Sequence, residues 1–179
     1  MNKYLQSILK GVLIGSIAVV GVSAIAEGSS SPIKDRGGVY IDAEQINCLS
    51  LNIYYEARSS NLADKAGVAD VVLNRVLDTR YPNTVCEVVK QGIKTADGAM
   101  KRNACQFSWY CDGKADNPQD QDNWVEAQMI AWDMVENGQY RGITEGATHY
   151  HATYVSPRWA STLQMVGRLG AHIYYRWEY

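Results

Sequence analysis

An α+β domain, mainly helical with a small antiparallel sheet at its C-terminal end, is the fold class that three observations predict. Apolar residues recur at helical spacing over 42–76 and again over 124–134. Beyond Tyr140 the chain is rich in Tyr, Thr, Val, Ile and Gly, and no helical pattern persists. The length of 179 residues with 46% hydrophobic and 20% charged positions supplies one core and excludes a disordered tail, a coiled coil or a collagen-like repeat. Helices first and strands last argue against a parallel α/β sheet, in which the two alternate.

The elements follow in order. Lys3 and Lys10 are the only charges before Glu27, and an apolar run from Gly11 to Ile25 leads into Ala24-Ile25-Ala26. A basic start, an apolar middle and an A-x-A end predict a secretory signal over 1–26, cut after Ala26. A Gly- and Ala-rich run of this kind also fits a transient anchor, and a membrane contact is expected only through this leader. Without it, 15 basic and 19 acidic residues leave a net charge of −4, which supplies no positive field for a nucleic acid partner. Residues 27–40 read as a linker, being Ser-, Gly- and Pro-containing without periodicity.

Asp42 with Gln45 resembles a capping box, and Ile46, Leu49, Ile53 and Ala57 form the stripe of a helix ending near Arg58. Leu62, Ala66, Ala69, Leu73 and Val76 mark a second helix, and Thr84 with Glu87 opens a short third that Gly92 can end. Residues 93–123 read as irregular. Trp124, Ala127, Ala131 and Met134 mark a last helix stopping at Gly138, and 148–154 and 172–177 read as strands.

Export places Cys48, Cys86, Cys105 and Cys111 in an oxidising setting, and they lack the close C-x-x-C doublets of a zinc site. Cys105 and Cys111 can close a small loop, which leaves Cys48 with Cys86. Twelve Tyr and five Trp against one Phe suit both core packing and a wet groove that stacks on ligand rings.

Glu56 is the leading candidate for chemistry. It stands at the last turn of an apolar helix beside Tyr54 and Tyr55, where burial and the negative helix end both favour a protonated carboxyl. A general acid requires that form, although Arg58 opposes it if it reaches the carboxyl. His149 and His151 share one strand face, and with His172 they make an alternative three-nitrogen zinc site; the simpler reading is groove residues that hydrogen-bond a ligand.

Several blocks in register carry a resemblance. Leu51 to Val76, with Asn52-Ile53-Tyr54-Tyr55-Glu56-Ala57-Arg58 and Val71-Val72-Leu73-Asn74-Arg75-Val76, is similar to the catalytic domain of the SleB family of cell wall hydrolases, the spore cortex-lytic enzymes. Cys105-Gln106-Phe107-Ser108-Trp109, the run from His149 to Trp159, and Gly170 to Arg176 agree in order. The resemblance implies a lysozyme-like catalytic domain over 41–179 that cleaves the glycan strands of peptidoglycan, with Glu56 in the position of the catalytic acid. It implies a lytic transglycosylase that needs one Glu and no cofactor. Gln106, Ser108, Tyr150 and His151 are expected to hydrogen-bond the sugar, with Trp109 or Trp159 as a stacking face. The expected setting is the periplasm or cell envelope, with the protein acting as a monomer. A hydrolysing muramidase and a zinc-dependent amidase on His149, His151 and His172 stand as alternatives.

Overall fold

Each long helix begins where a polar side chain accepts a backbone N–H that the helix itself leaves unpaired. In the computed structural model, which describes residues 33–34 and 40–178, Asp42 accepts from Gln45 N at the start of α1 (Ala43–Ala57). Asn61 does the same for α2 (Leu62–Leu77), and Asp120 for α4 (Gln121–Glu136). The predicted capping box opens the short α3 (Val85–Val89): Thr84 Oγ1 accepts from Glu87 N and donates to Glu87 Oε2.

Helix α1 lies at the centre and packs against α2, α3 and α4. Leu49, Ile53 and Tyr54 from α1 meet Val72 and Leu73 from α2, Val85 and Val88 from α3, and Ile130 and Met134 from α4. Burying one such side chain contributes about 1.5–3 kcal/mol, so this cluster is the main source of stability. Tyr54 has a second task. Its fully buried ring turns the hydroxyl toward Gln119 N (3.1 Å) and Asp120 N (3.0 Å), which both donate to it and tie the start of α4 to α1.

Strands β1 (Ile33–Lys34) and β2 (Tyr40–Ile41) form a short antiparallel pair before α1. Within the stretch read as irregular, β3 (Gly92–Lys94) and β4 (Met100–Cys105) make a hairpin. Its strands are short and largely exposed, so no alternating apolar pattern marks them in the sequence. The C-terminal sheet has the order β5-β7-β6, all antiparallel: β5 (His149–Ala152), β6 (Gln164–Leu169) and β7 (His172–Arg176). Strand β6 escaped the sequence reading because Gly167 at a register shift interrupts its alternation. The sheet packs on α2 through Val71, Ala147 and Tyr174. Gly67 is needed there, since a Cβ on it would lie 2.6 Å from the Tyr174 hydroxyl.

Both expected disulfides are present. Cys48–Cys86 joins α1 to α3, and Cys105–Cys111 joins β4 to the 3-10 turn Ser108–Cys111. From loop-closure entropy, replacing the first pair by Ala is expected to cost about 4 kcal/mol and the second about 2 kcal/mol. Calorimetry of the two double variants should show the larger fall in Tm for Cys48→Ala/Cys86→Ala. The reverse order would mean that the small loop is held chiefly by its own crosslink.

The leader 1–26 and most of the linker 27–40 lie outside the described residues. Among the described residues no helix is long and apolar enough to cross a membrane.

Candidate active site

The last turn of α1 and the first strand of the C-terminal sheet meet at one cleft. Ile53 and Ala57 point into the core, which turns Glu56 toward β5. On β5 the side chains alternate, so Tyr150 faces the helices while His149 and His151 face the other way. Tyr150 packs beside Tyr174, and its hydroxyl donates to Glu56 Oε2 at 3.1 Å. Burial holds the Tyr150 hydroxyl well above its ordinary pKa, so at working pH it is always a donor.

Glu56 is partly buried in a cavity of about 460 Å³. Burial pushes its carboxyl above the ordinary glutamate value; the Tyr150 hydrogen bond, His172 and Arg75 each pull back part of that rise. Arg58, the expected opponent, instead donates to the Tyr54 hydroxyl at 3.2 Å. The nearby cation is Arg75. It is 5% exposed, donates from Nε to Thr148 O at 2.7 Å and lies over the rings of Tyr81 and Phe107. Sequence reasoning assigned Arg75 no role, though a charged residue between Leu73 and Val76 on an apolar helix was the available signal.

Behind the cleft stands a second polar unit that the sequence reading also missed. Asp64 is fully buried and accepts from His172 Nδ1 (2.9 Å), Ala171 N (3.0 Å) and the Tyr174 hydroxyl (2.7 Å). The His172 ring meets Tyr150 edge-on at 5.0 Å, so this unit supports the side chain that touches Glu56. Gly170, at φ +55, brings the turn before β7 against Asp64, where a Cβ would lie 2.8 Å from the Asp64 Cβ. Asp70 anchors the approach to β5 in the same manner, accepting from Arg141, Gly142 N and both donors of Thr144.

Gln106, Ser108, Tyr150, His151 and Trp159 all line the cleft with Glu56, and so do His149 and His172, since the cleft takes in residues from both faces of the edge strand β5. Trp109 does not. It is 8% exposed, stacks on Tyr55 at 4.8 Å, and donates from Nε1 to Asn52 Oδ1, so its ring belongs to the core and offers no face to a sugar. Trp159 is the indole on the wall, with ring centroids 5.3 Å from His149 and 5.6 Å from His151.

The zinc triad is corrected by the pleat. Ala152 stands opposite His172 in the β5–β7 register, so His172 shares a face with Tyr150 and Ala152 while His149 and His151 occupy the other. His172 Nδ1 is committed to Asp64, and both His151 nitrogens are engaged, by Ala152 O and the Tyr175 hydroxyl. Among the described residues no group of His, Cys, Asp and Glu is arranged to hold a metal. His149 has its pKa lowered to about 4, by burial first and then by Arg75 and Arg80, so it is neutral at working pH.

Residues 59–175 match the sequence profile of a family described as Cell Wall Hydrolase, well over half of the chain. The chain belongs to this cell wall hydrolase family. As a member it is a peptidoglycan-degrading enzyme, which acts outside the cell or in its envelope. This cell wall hydrolase is similar in fold to the catalytic domain of the germination-specific lytic transglycosylase SleB from Bacillus anthracis: TM-score 0.54, 21% identity, 75% of this chain and 96% of that one covered. The catalytic domain of the Bacillus cereus SleB protein gives TM-score 0.54 and 22% identity, covering 75% of this chain and 91% of that one. No curated protein matches the sequence. The profile match begins three residues after Glu56, so the case for that side chain in this cell wall hydrolase rests on its geometry.

Proposed function

We propose that this enzyme is a lytic transglycosylase that cuts the glycan strand between N-acetylmuramic acid and N-acetylglucosamine, with Glu56 as its acid and its base. The observation that carries the reading is that, among the described residues, Glu56 is the sole carboxylate lining the cleft, and burial favours its protonated form. Hydrolysing glycosidases ordinarily need two carboxylates flanking the bond. One suffices here. The Glu56 proton passes to the glycosidic oxygen as the bond from the muramoyl C1 breaks; the muramoyl C6 hydroxyl closes on C1 and returns its proton to the carboxylate. The product is a 1,6-anhydro end, and no water is consumed. The SleB catalytic domains that share this fold, one of them a germination-specific lytic transglycosylase, support the same chemistry.

Gln106, Ser108 and His151 are assigned to hydrogen bonds with the sugar, Trp159 to its face, and Tyr150 to orienting Glu56 so that Oε1 meets the substrate. The enzyme works as a monomer without a cofactor, exported to the periplasm by residues 1–26, with 41–179 as the catalytic domain.

Mass spectrometry of digested peptidoglycan tests the chemistry: anhydro-muropeptides are expected, and reducing ends in their place would identify a hydrolysing muramidase. The pH profile tests the acid. A group with a raised pKa donates below that pKa, so kcat/KM should fall as pH rises through it, at a pH above the ordinary glutamate range. The Tyr150 hydrogen bond favours the carboxylate, so Tyr150→Phe should lower kcat and move this falling limb to higher pH. A limb that stays in place would assign it to another group.

A further inference from the structure

Arg75 lines the same cleft as Glu56, and its charge there is unmatched. Among the described residues each other buried charge has an opposite one beside it: Asp64 has His172, Lys65 has Glu126 and Asp70 has Arg141. Arg75, only 5% exposed, forms no ion pair. A buried charge without a partner is strongly destabilising, so a cation held this way in a substrate cleft calls for a partner that arrives with the substrate.

The guanidinium is fixed from two sides. Its Nε donates to Thr148 O at 2.7 Å, and its centre lies 5.2 Å from the ring centroid of Tyr81 and 5.3 Å from that of Phe107. These contacts leave Nη1 and Nη2. Neither has an acceptor among the described residues, and neither is shut off from the cleft: the enclosed atoms that lack a partner lie elsewhere, on Asn52, Tyr55 and Gln91. In the open cleft water can meet both nitrogens. A sugar that fills the cleft displaces this water, and an acceptor on the sugar must then replace it.

Resting on the glycan-cleaving reading above, we propose that Arg75 is a substrate-binding residue whose two terminal nitrogens donate to an acyl oxygen on a ring substituent of the sugar beside Glu56. A planar, charged fork of donors suits such an oxygen better than a sugar hydroxyl. Two substituents carry one: the acetamido group and the lactyl ether of the muramoyl ring. The contact holds the ring in the cleft, and both proton transfers stay with Glu56.

Glycan strands in three forms separate the two sources: peptide-bearing, the same strands N-deacetylated, and strands stripped of peptide by an amidase, which leaves a lactyl carboxylate. On the peptide-bearing strands Arg75→Lys should lose about tenfold or more in kcat/KM, the size of one hydrogen bond to a charged group. The loss should appear in KM, and the falling limb of the pH profile should stay in place, because Lys retains the charge. With an acetamido partner the loss vanishes on N-deacetylated strands. With a lactyl partner it persists there and grows on the stripped strands, whose carboxylate can take the fork bidentately. The same loss on all three forms, no loss on any, or a loss confined to kcat would overturn the acyl contact. The wild type alone decides if the variant fails to fold: it should lose about tenfold or more on the N-deacetylated strands or gain on the stripped ones. One wild-type rate on all three forms would sink this inference alone. Anhydro ends from none of them would take the glycan-cleaving reading with it.

Discussion

Glu56→Gln is expected to abolish peptidoglycan cleavage while leaving the fold intact. Gln is nearly isosteric with protonated Glu and can still accept from the Tyr150 hydroxyl, so the last turn of α1 keeps its packing. An amide cannot deliver a proton to the leaving oxygen or take one from the C6 hydroxyl. Acid–base assistance contributes roughly 10²- to 10⁴-fold, and in the proposed mechanism one residue supplies both halves, so the loss should reach or pass the upper end. Stability should move the other way. The folded pKa of Glu56 is raised, so its contribution is fully present below the unfolded value and is lost as pH rises through the folded one. Gln has no such loss, and the Tm of the variant at neutral pH should equal or exceed that of the wild type. His151→Ala should be milder, since water can replace an orienting contact. Anhydro-muropeptides from Glu56→Gln, alongside inactive His149→Ala and His151→Ala, would transfer the chemistry to a histidine site.

Asp64→Ala should be the most destabilising single change near the cleft. It leaves His172 Nδ1, the Ala171 N–H and the Tyr174 hydroxyl without the carboxylate that accepts from all three in a fully buried place. Breaking a buried pair of this kind costs about 3–5 kcal/mol. For a domain of this size that is a fall in Tm of roughly 6–20 °C. The pH dependence gives an independent signature. Burial raises the Asp64 pKa, but hydrogen bonds from His172, Ser60 and Tyr174 outweigh it, and the net value lies below the ordinary aspartate one. Its stabilisation is therefore present above the unfolded pKa and lost as pH falls through the folded one. Thermal melts of the wild type should lose stability in acid with a slope that Asp64→Ala lacks. A Tm within 2 °C of the wild type at neutral pH would show that this polar unit is not a structural support of the cleft.

The elements that a linear pattern can specify were legible. Asp42 and Thr84 cap helices where the sequence places them, and stripes such as Leu49 and Ile53 carry their own 3.6-residue period; the caps Asn61 and Asp120 emerge only in the structure. The cysteine pairing followed from spacing and count. The hairpin β3–β4 and strand β6 did not show, because exposed or glycine-interrupted strands lack the alternation that marks a half-buried one.

Glu56 was visible in sequence as a carboxyl at the end of an apolar helix, and that local setting already implied a raised pKa. Its partners were not. Trp109 and Trp159 are the same residue type in similarly aromatic surroundings, and only the packing sends one into the core and the other to the cleft wall. His149, His151 and His172 looked like one set until the β5–β7 register put His172 on the opposite face. The sequence by itself determined the helices, two of their caps, the crosslinks and the candidate Glu56. The tertiary structure alone decided that Tyr150 and Arg75 converge on Glu56 and that Asp64 backs them through His172, because those contacts join residues far apart in the chain, and no local period or spacing encodes which faces will meet.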